Sequence, residues 1–341
     1  MKKVIASSVV GGLCFVLMAC SRGVEETLPV ETTETTAVET TTAAIEEPVR
    51  VNVVVYGSIE AGSDNESFCV GAQRAAEELD VKLQILQSAD EKELEANIFS
   101  SCESGYDYVI SAAPEGADYI AKYGQEYPDV SFAVLDADVP CENVTSVYLL
   151  WEEAFFQAGA TSALFTKQTE HPGINEEAVL GWVGGMNIPM VYNLYQAFEQ
   201  GARSVDPEIL ILEQYAGSWE DPEETYRLAA SQYEQGADII VSLTGEGDTG
   251  VRTAAEDNGF FVIGTDESVS GPEDHLLTIS KDMERIGYLV ARGLLQDGFE
   301  GETEVELSMA DGCVVLDGIS AVPETIEKEV QEERVVSDAN A

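Results

Sequence analysis

The chain is 341 residues long, 45% hydrophobic, and carries 64 acidic against 17 basic residues, a formal charge of −47. That balance excludes nucleic-acid binding, which depends on Lys and Arg neutralising phosphates, and it excludes adsorption to anionic lipid headgroups. An anionic ligand such as a nucleotide is disfavoured for the same reason, while mutual repulsion of acidic surfaces favours solubility.

Residues 1–19 read as a secretory signal: Lys2 and Lys3 precede an apolar run from Val4 to Val16, and Leu17-Met18-Ala19 ends in small residues. The run is shorter than the ~20 residues a helix needs to span a bilayer. Cys20, directly behind it, resembles the modified cysteine of bacterial lipoproteins, which predicts a lipidated Cys20 at the extracytoplasmic face of the cell membrane. Residues 20–49 follow as a stalk. Thr, Glu, Val and Ala dominate it, as in Glu31-Thr32-Thr33-Glu34-Thr35-Thr36. Such a segment buries too little apolar surface to offset its ordering entropy, and its carboxylates repel one another and extend it.

From Val51 the chain alternates β-branched runs with amphipathic stretches, the signature of parallel sheets with crossover helices. Strands are predicted at Val51–Tyr56, Val81–Leu86, Tyr106–Ser111, Val130–Leu135 and Thr145–Leu150. Helices at Phe68–Leu79, Glu91–Ser101 and Ala117–Tyr123 separate them. A helix at Trp151–Thr166 opens a second α/β series: strands Val179–Val183, Ile209–Gln214, Asp238–Leu243 and Phe261–Gly264, with helices Tyr192–Ala202, Pro222–Gln235 and Val251–Asn258. The remaining elements are strands Leu276–Ser280, Val305–Leu307 and Cys313–Leu316 and helices Met283–Leu295 and Thr325–Glu333. They are too short to form a third lobe, so the chain is expected to cross between the first two several times. Lobe 1 then comprises residues 50–150 plus about 281–310, lobe 2 residues 151–280 plus about 311–320, and residues 321–341 a C-terminal helix and tail. A cleft faced by the carboxyl ends of strands from both lobes is the expected place for a small ligand.

Of six cysteines, Cys14 leaves with the signal and Cys20 is the lipidation site. Cys69, Cys102, Cys141 and Cys313 permit two disulfides in any of three connectivities. No CxxC motif or Cys/His cluster points to a metal, and no cofactor is expected. The two histidines, His171 and His275, fall in segments that read as loops, which leaves a Ser-His-Asp or Cys-His apparatus hard to assemble. Gly245-Glu246-Gly247-Asp248-Thr249-Gly250 has the form of a dinucleotide fingerprint. Glu246 and Asp248 would face the pyrophosphate, however, so the glycines are read instead as allowing backbone to approach a neutral ligand closely.

Several segments resemble the basic membrane protein family, lipoprotein substrate-binding components of ABC transporters whose best-known members bind purine nucleosides. They include Gly181-Trp182-Val183-Gly184-Gly185, Ala197-Phe198-Glu199-Gln200-Gly201-Ala202, Tyr215-Ala216-Gly217-Ser218-Trp219, Gly236-Ala237-Asp238, Ile263-Gly264-Thr265-Asp266 and Leu277-Thr278-Ile279-Ser280-Lys281, in that order. The likeness runs from about Val51 to Pro323 and implies a two-lobed type I periplasmic-binding-protein fold, parallel sheets flanked by helices with a ligand cleft between them. It implies further that Phe68 and Trp219 stack on the base, that Asp266 and Lys281 hold the ribose side, and, more weakly, that Asp136 contributes. The family's aspartate after the first strand is replaced by Gly57-Ser58-Ile59, and its Ser-Phe-Asn reads Ser67-Phe68-Cys69 here. Asp64 or Asn65 stands near enough to substitute in reading the base edge. The implied partners are a nucleoside-like small molecule, an ABC permease and, through the lipid, the membrane. A lipid-anchored receptor for a sensor is the competing expectation, and a nucleoside-cleaving hydrolase the third.

Overall fold

The computed structural model describes residues 49–265, 275–296, 299 and 303–317. The signal, Cys20, the stalk up to residue 48, Asp266 and the helix expected at Thr325–Glu333 lie outside the described residues.

Strand β1 (Arg50–Tyr56) is a run of valines, and its interior residues are buried, as a central parallel strand covered on both faces requires. Helix α1 (Asp64–Glu78) follows. The Ser63 hydroxyl accepts from the Glu66 N–H at 3.1 Å, while the Glu66 carboxylate accepts from the Gly62 N–H at 2.6 Å. Together they satisfy donors that the helix start would otherwise leave unpaired. The chain continues through β2 (Lys82–Ser88), α2 (Glu91–Glu103), β3 (Tyr108–Ser111), α3 (Ala117–Glu126), β4 (Ser131–Leu135) and β5 (Val144–Leu149).

After α4 (Trp151–Phe165) the pattern repeats as β6 (Val179–Gly184), α5 (Pro189–Val205), β7 (Leu210–Tyr215), α6 (Pro222–Glu234), β8 (Ala237–Leu243), α7 (Asp248–Asn258), β9 (Phe261–Gly264) and β10 (His275–Lys281). Helix α8 (Met283–Gln296) and strands β11 (Glu304–Leu307) and β12 (Val314–Asp317) complete the described elements. His275, expected in a loop, opens β10 and pairs in register with Val262.

Two six-stranded sheets result, ordered β11-β5-β4-β3-β1-β2 and β12-β10-β9-β8-β6-β7. The orders are equivalent strand for strand, with reversals between β1 and β3 and between β6 and β8. All pairings are parallel except β12 on β10. Because β11 pairs with β5, β12 with β10, and α8 packs on α1, the chain passes between the sheets after β5, after β10 and after β11.

Each lobe buries its first helix against a helix that has just crossed over, and both contacts use reciprocal glycines. A Cβ on Gly71 of α1 would strike the Glu284 carbonyl of α8, and one on Gly287 of α8 would strike the Phe68 carbonyl. In lobe 2, Gly159 of α4 meets the Phe198 carbonyl and Gly201 of α5 meets the Phe156 carbonyl in the same way. The backbones therefore approach more closely than any side chain would permit. A large core cluster containing Phe68, Phe155, Trp182 and Phe198 lies along these helix pairs, while smaller clusters around Phe132 and Phe260 fill the other face of each sheet.

Cys69, Cys102, Cys141 and Cys313 are all free thiols. Burial pushes Cys69 and Cys102 up to about 11 and Cys313 to about 12, so three of them act as small apolar groups.

Candidate functional site

The three crossovers are bonded to one another. The Leu150 N–H donates to the Leu307 carbonyl at 2.9 Å, the Asp282 N–H to the Cys313 carbonyl at 3.0 Å, and the Met309 N–H to the Glu153 carboxylate at 2.9 Å. Beside this hinge lies a cavity of about 470 Å³, within the range of small-ligand sites. Asp136 beyond the end of β4, Tyr148 and Leu149 in β5, and Pro114 after β3 line it from lobe 1; Met190, Leu194 and Leu243 line it from lobe 2. Trp151, Glu152 and Lys281 line it from the first two crossovers. Two wider surface concavities, outside α6 and beside Gly173 and Asn258, draw on lobe 2 alone.

Asp136 and Lys281 are thus brought together. Asp136 is an exposed residue at the cavity, with protein packed about its carboxyl group. The loss of bulk water raises its carboxyl above the ordinary value, and Glu152 pushes it the same way, although the Leu149 N–H and the Lys281 charge oppose the shift. The Lys281 ammonium lies 5.1 Å from the centroid of the Trp151 ring. Asp136 and Glu152 against Lys281 leave the lining with a net negative charge. These three groups and Tyr148 share the lining with Pro114, Leu149, Trp151, Met190, Leu194 and Leu243, an arrangement for hydrogen-bonding and enclosing a neutral molecule.

The other expected residues stand apart from this lining. Phe68 is 0% exposed, with its ring in the core and its carbonyl against Gly287. Asn65 donates both amide hydrogens to backbone, to the Tyr56 carbonyl at 2.8 Å and the Ser58 carbonyl at 3.0 Å, and so pins the loop after β1. The Trp219 ring covers Gly185 at the carboxyl end of β6, and the Trp219 carbonyl accepts from the Gly247 N–H at 3.1 Å. Gly245 turns through φ +60° beside that carbonyl, and Gly250 packs on the Pro222 carbonyl. The glycine-rich loop therefore approaches Trp219 and the start of α6. Trp151 and Tyr148 are cavity aromatics that the sequence reading passed over; the signal was a large aromatic where the chain leaves a strand end to cross between lobes.

Residues 48–340 match the family model described as "ABC transporter substrate-binding protein PnrA-like". The chain belongs to this family. Basic membrane protein A of Borreliella afzelii is 25% identical over 293 residues, covering 83% of this chain and 86% of that protein. An ABC transporter solute-binding protein of Conexibacter woesei shares the fold at a TM-score of 0.63 and 22% identity, over 85% of this chain and 97% of that one. An arabinose-binding protein from Geobacillus stearothermophilus does so at 0.64 and 12% identity, over 81% of this chain and 98% of that one. The architecture is the type I periplasmic-binding-protein fold, and the family role is to bind a small molecule outside the cytoplasm for an ABC permease. Among the described residues no helix is long and apolar enough to cross a membrane.

Proposed function

We propose that the chain is the substrate-binding lipoprotein of an ABC importer, anchored through Cys20, and that it closes on a nucleoside or a similar small uncharged ligand. The observation that carries this reading is the cavity at the hinge, which Asp136, Lys281 and Trp151 line together, with the Lys281 ammonium over the indole ring. A carboxylate and an ammonium suit ribose hydroxyls, which both accept and donate. The adjoining aromatic and aliphatic wall suits a base. The surplus of acid over base argues against a phosphate on the same ligand. Trp219, at the lobe 2 strand ends, and Asp266, two residues beyond β9, are expected to complete the site when the lobes close. Closure needs no chemistry: the ligand selects the closed state by binding it more tightly than the open one.

Mass spectrometry of small molecules released by denaturing the freshly purified protein tests the reading. A nucleoside recovered in stoichiometric amount supports it; a sugar or an amino acid recovered instead contradicts it.

A further inference from the structure

Trp151 is half-buried: it packs against the hydrophobic core and also forms part of the cavity wall. Lys281 comes from a different crossover and holds its ammonium within cation–π range of the indole face. Both residues line the same cavity. Neither of the two rings that the family resemblance assigns to ligand stacking lines this cavity. Phe68 is enclosed in the core, where the close approach of α1 and α8 holds it, and Trp219 packs on Gly185 within lobe 2.

We propose that Trp151 is the aromatic contact by which the cleft selects a planar ring, and that the Lys281 ammonium covers this face until the ligand displaces it. This rests on the nucleoside reading above. A flat heterocycle exchanges one favourable contact of the indole for another of larger area, because offset stacking buries a whole ring face. The ammonium released by the exchange is then free to meet a ligand hydroxyl in the field of Asp136. A saturated sugar has no π face and lays only a few C–H groups on the indole, so it offsets less of the Lys281 contact that it displaces. Trp151 therefore favours nucleosides over pentoses of the same hydroxyl pattern. Because the hinge holds Trp151, both lobes can close on it without moving it far.

The test is calorimetric titration of the purified protein with adenosine, uridine, ribose and arabinose, on the wild type and on Trp151→Ala, Trp151→Leu and Trp151→Phe. Nucleoside affinity should fall about tenfold or more in the alanine and leucine variants, the loss expected for one base-stacking partner, and should survive largely intact in the phenylalanine variant. Leucine fills the wall without a π face, so it keeps the comparison valid should alanine unfold the protein. Nucleoside should also change the tryptophan emission of the wild type much more than that of Trp151→Phe, which retains Trp182 and Trp219. Unchanged nucleoside affinity in folded Trp151→Leu overturns this inference and leaves the nucleoside reading standing. Binding of ribose or arabinose without any nucleoside, or no binding by the wild type, overturns both.

Discussion

The Asp136 carboxylate accepts a hydrogen bond from the Leu149 N–H at 3.1 Å, joining the end of β4 to the last residue of β5 before the chain crosses between lobes. Asp136 holds this position in the left-handed region, at φ +52°, where aspartate is tolerated better than most residues but remains uncommon. Its carboxyl is raised, chiefly by burial, so the fold disfavours the ionised form. The stability it contributes is therefore present at low pH and is lost as pH rises through its folded value.

Asp136→Asn keeps an acceptor for Leu149 and removes the charge. Its melting temperature should exceed that of the wild type at pH 7, with the difference narrowing toward pH 4. Affinity for a hydroxyl-bearing ligand should fall about tenfold, in line with losing a charged acceptor. A lower melting temperature at pH 7 would mean that the attraction to Lys281 outweighs desolvation at this site.

Asp238 is 0% exposed at the start of β8, where its carboxylate accepts from the Thr166 hydroxyl at 2.7 Å and the Asn175 N–H at 3.2 Å. Burial dominates these bonds and raises its pKa from 3.8 to about 6. The associated stability is complete below about pH 4 and disappears as pH passes 6. Relative to the wild type, Asp238→Asn should gain about 2 kcal/mol on going from pH 4 to pH 7, within the limit of about 3 kcal/mol that a rise from 3.8 to about 6 sets. Denaturant melts of both proteins at the two pH values measure it; parallel pH profiles would show that the carboxyl is not shifted.

Gly201→Ala should destabilise lobe 2 by about 1–3 kcal/mol, the usual cost of forcing atoms into a packed contact, because its Cβ would meet the Phe156 carbonyl of α4. Gly287→Ala should do the same to lobe 1 through the Phe68 carbonyl. At Gly62, where nothing lies within 4 Å of the added Cβ, alanine should cost only the strain of its positive φ. Equal losses at all three sites in thermal melts would rule out close helix approach as the cause.

Most of the fold is legible in the sequence because the β-branched runs and amphipathic stretches are long and punctuated. The predicted strand Phe261–Gly264 and the observed β9 have the same bounds, and the shortness of the last elements correctly implies several crossings between lobes. The site is only partly legible. Lys281 and Asp136 stand at or just past strand ends, and strand ends are recognisable. The burial of Phe68 is not, since it depends on α8, more than two hundred residues away, meeting α1 through Gly71 and Gly287. Nor does spacing reveal the state of the thiols: Cys69 in α1, Cys102 in α2 and Cys313 just before β12 are buried as free groups.

Cys20→Ala should release the protein from membranes into the soluble fraction, since its acidic surface offers no second attachment. Fractionation after a high-salt wash is the measurement, and a variant that still sediments with membranes refutes the lipid anchor.

The most direct test of the central claim is a thermal-shift titration with adenosine, adenine, 2′,3′-dideoxyadenosine and adenosine monophosphate, repeated for the guanosine and uridine series. At least one nucleoside should raise the melting temperature well above the shift given by its free base or dideoxy form, because Asp136 and Lys281 would otherwise be left without their hydroxyl partners. Its monophosphate should do little in an acidic cleft. Stabilisation by the monophosphate above the nucleoside, or by ribose or arabinose with no response to any nucleoside, would contradict the account.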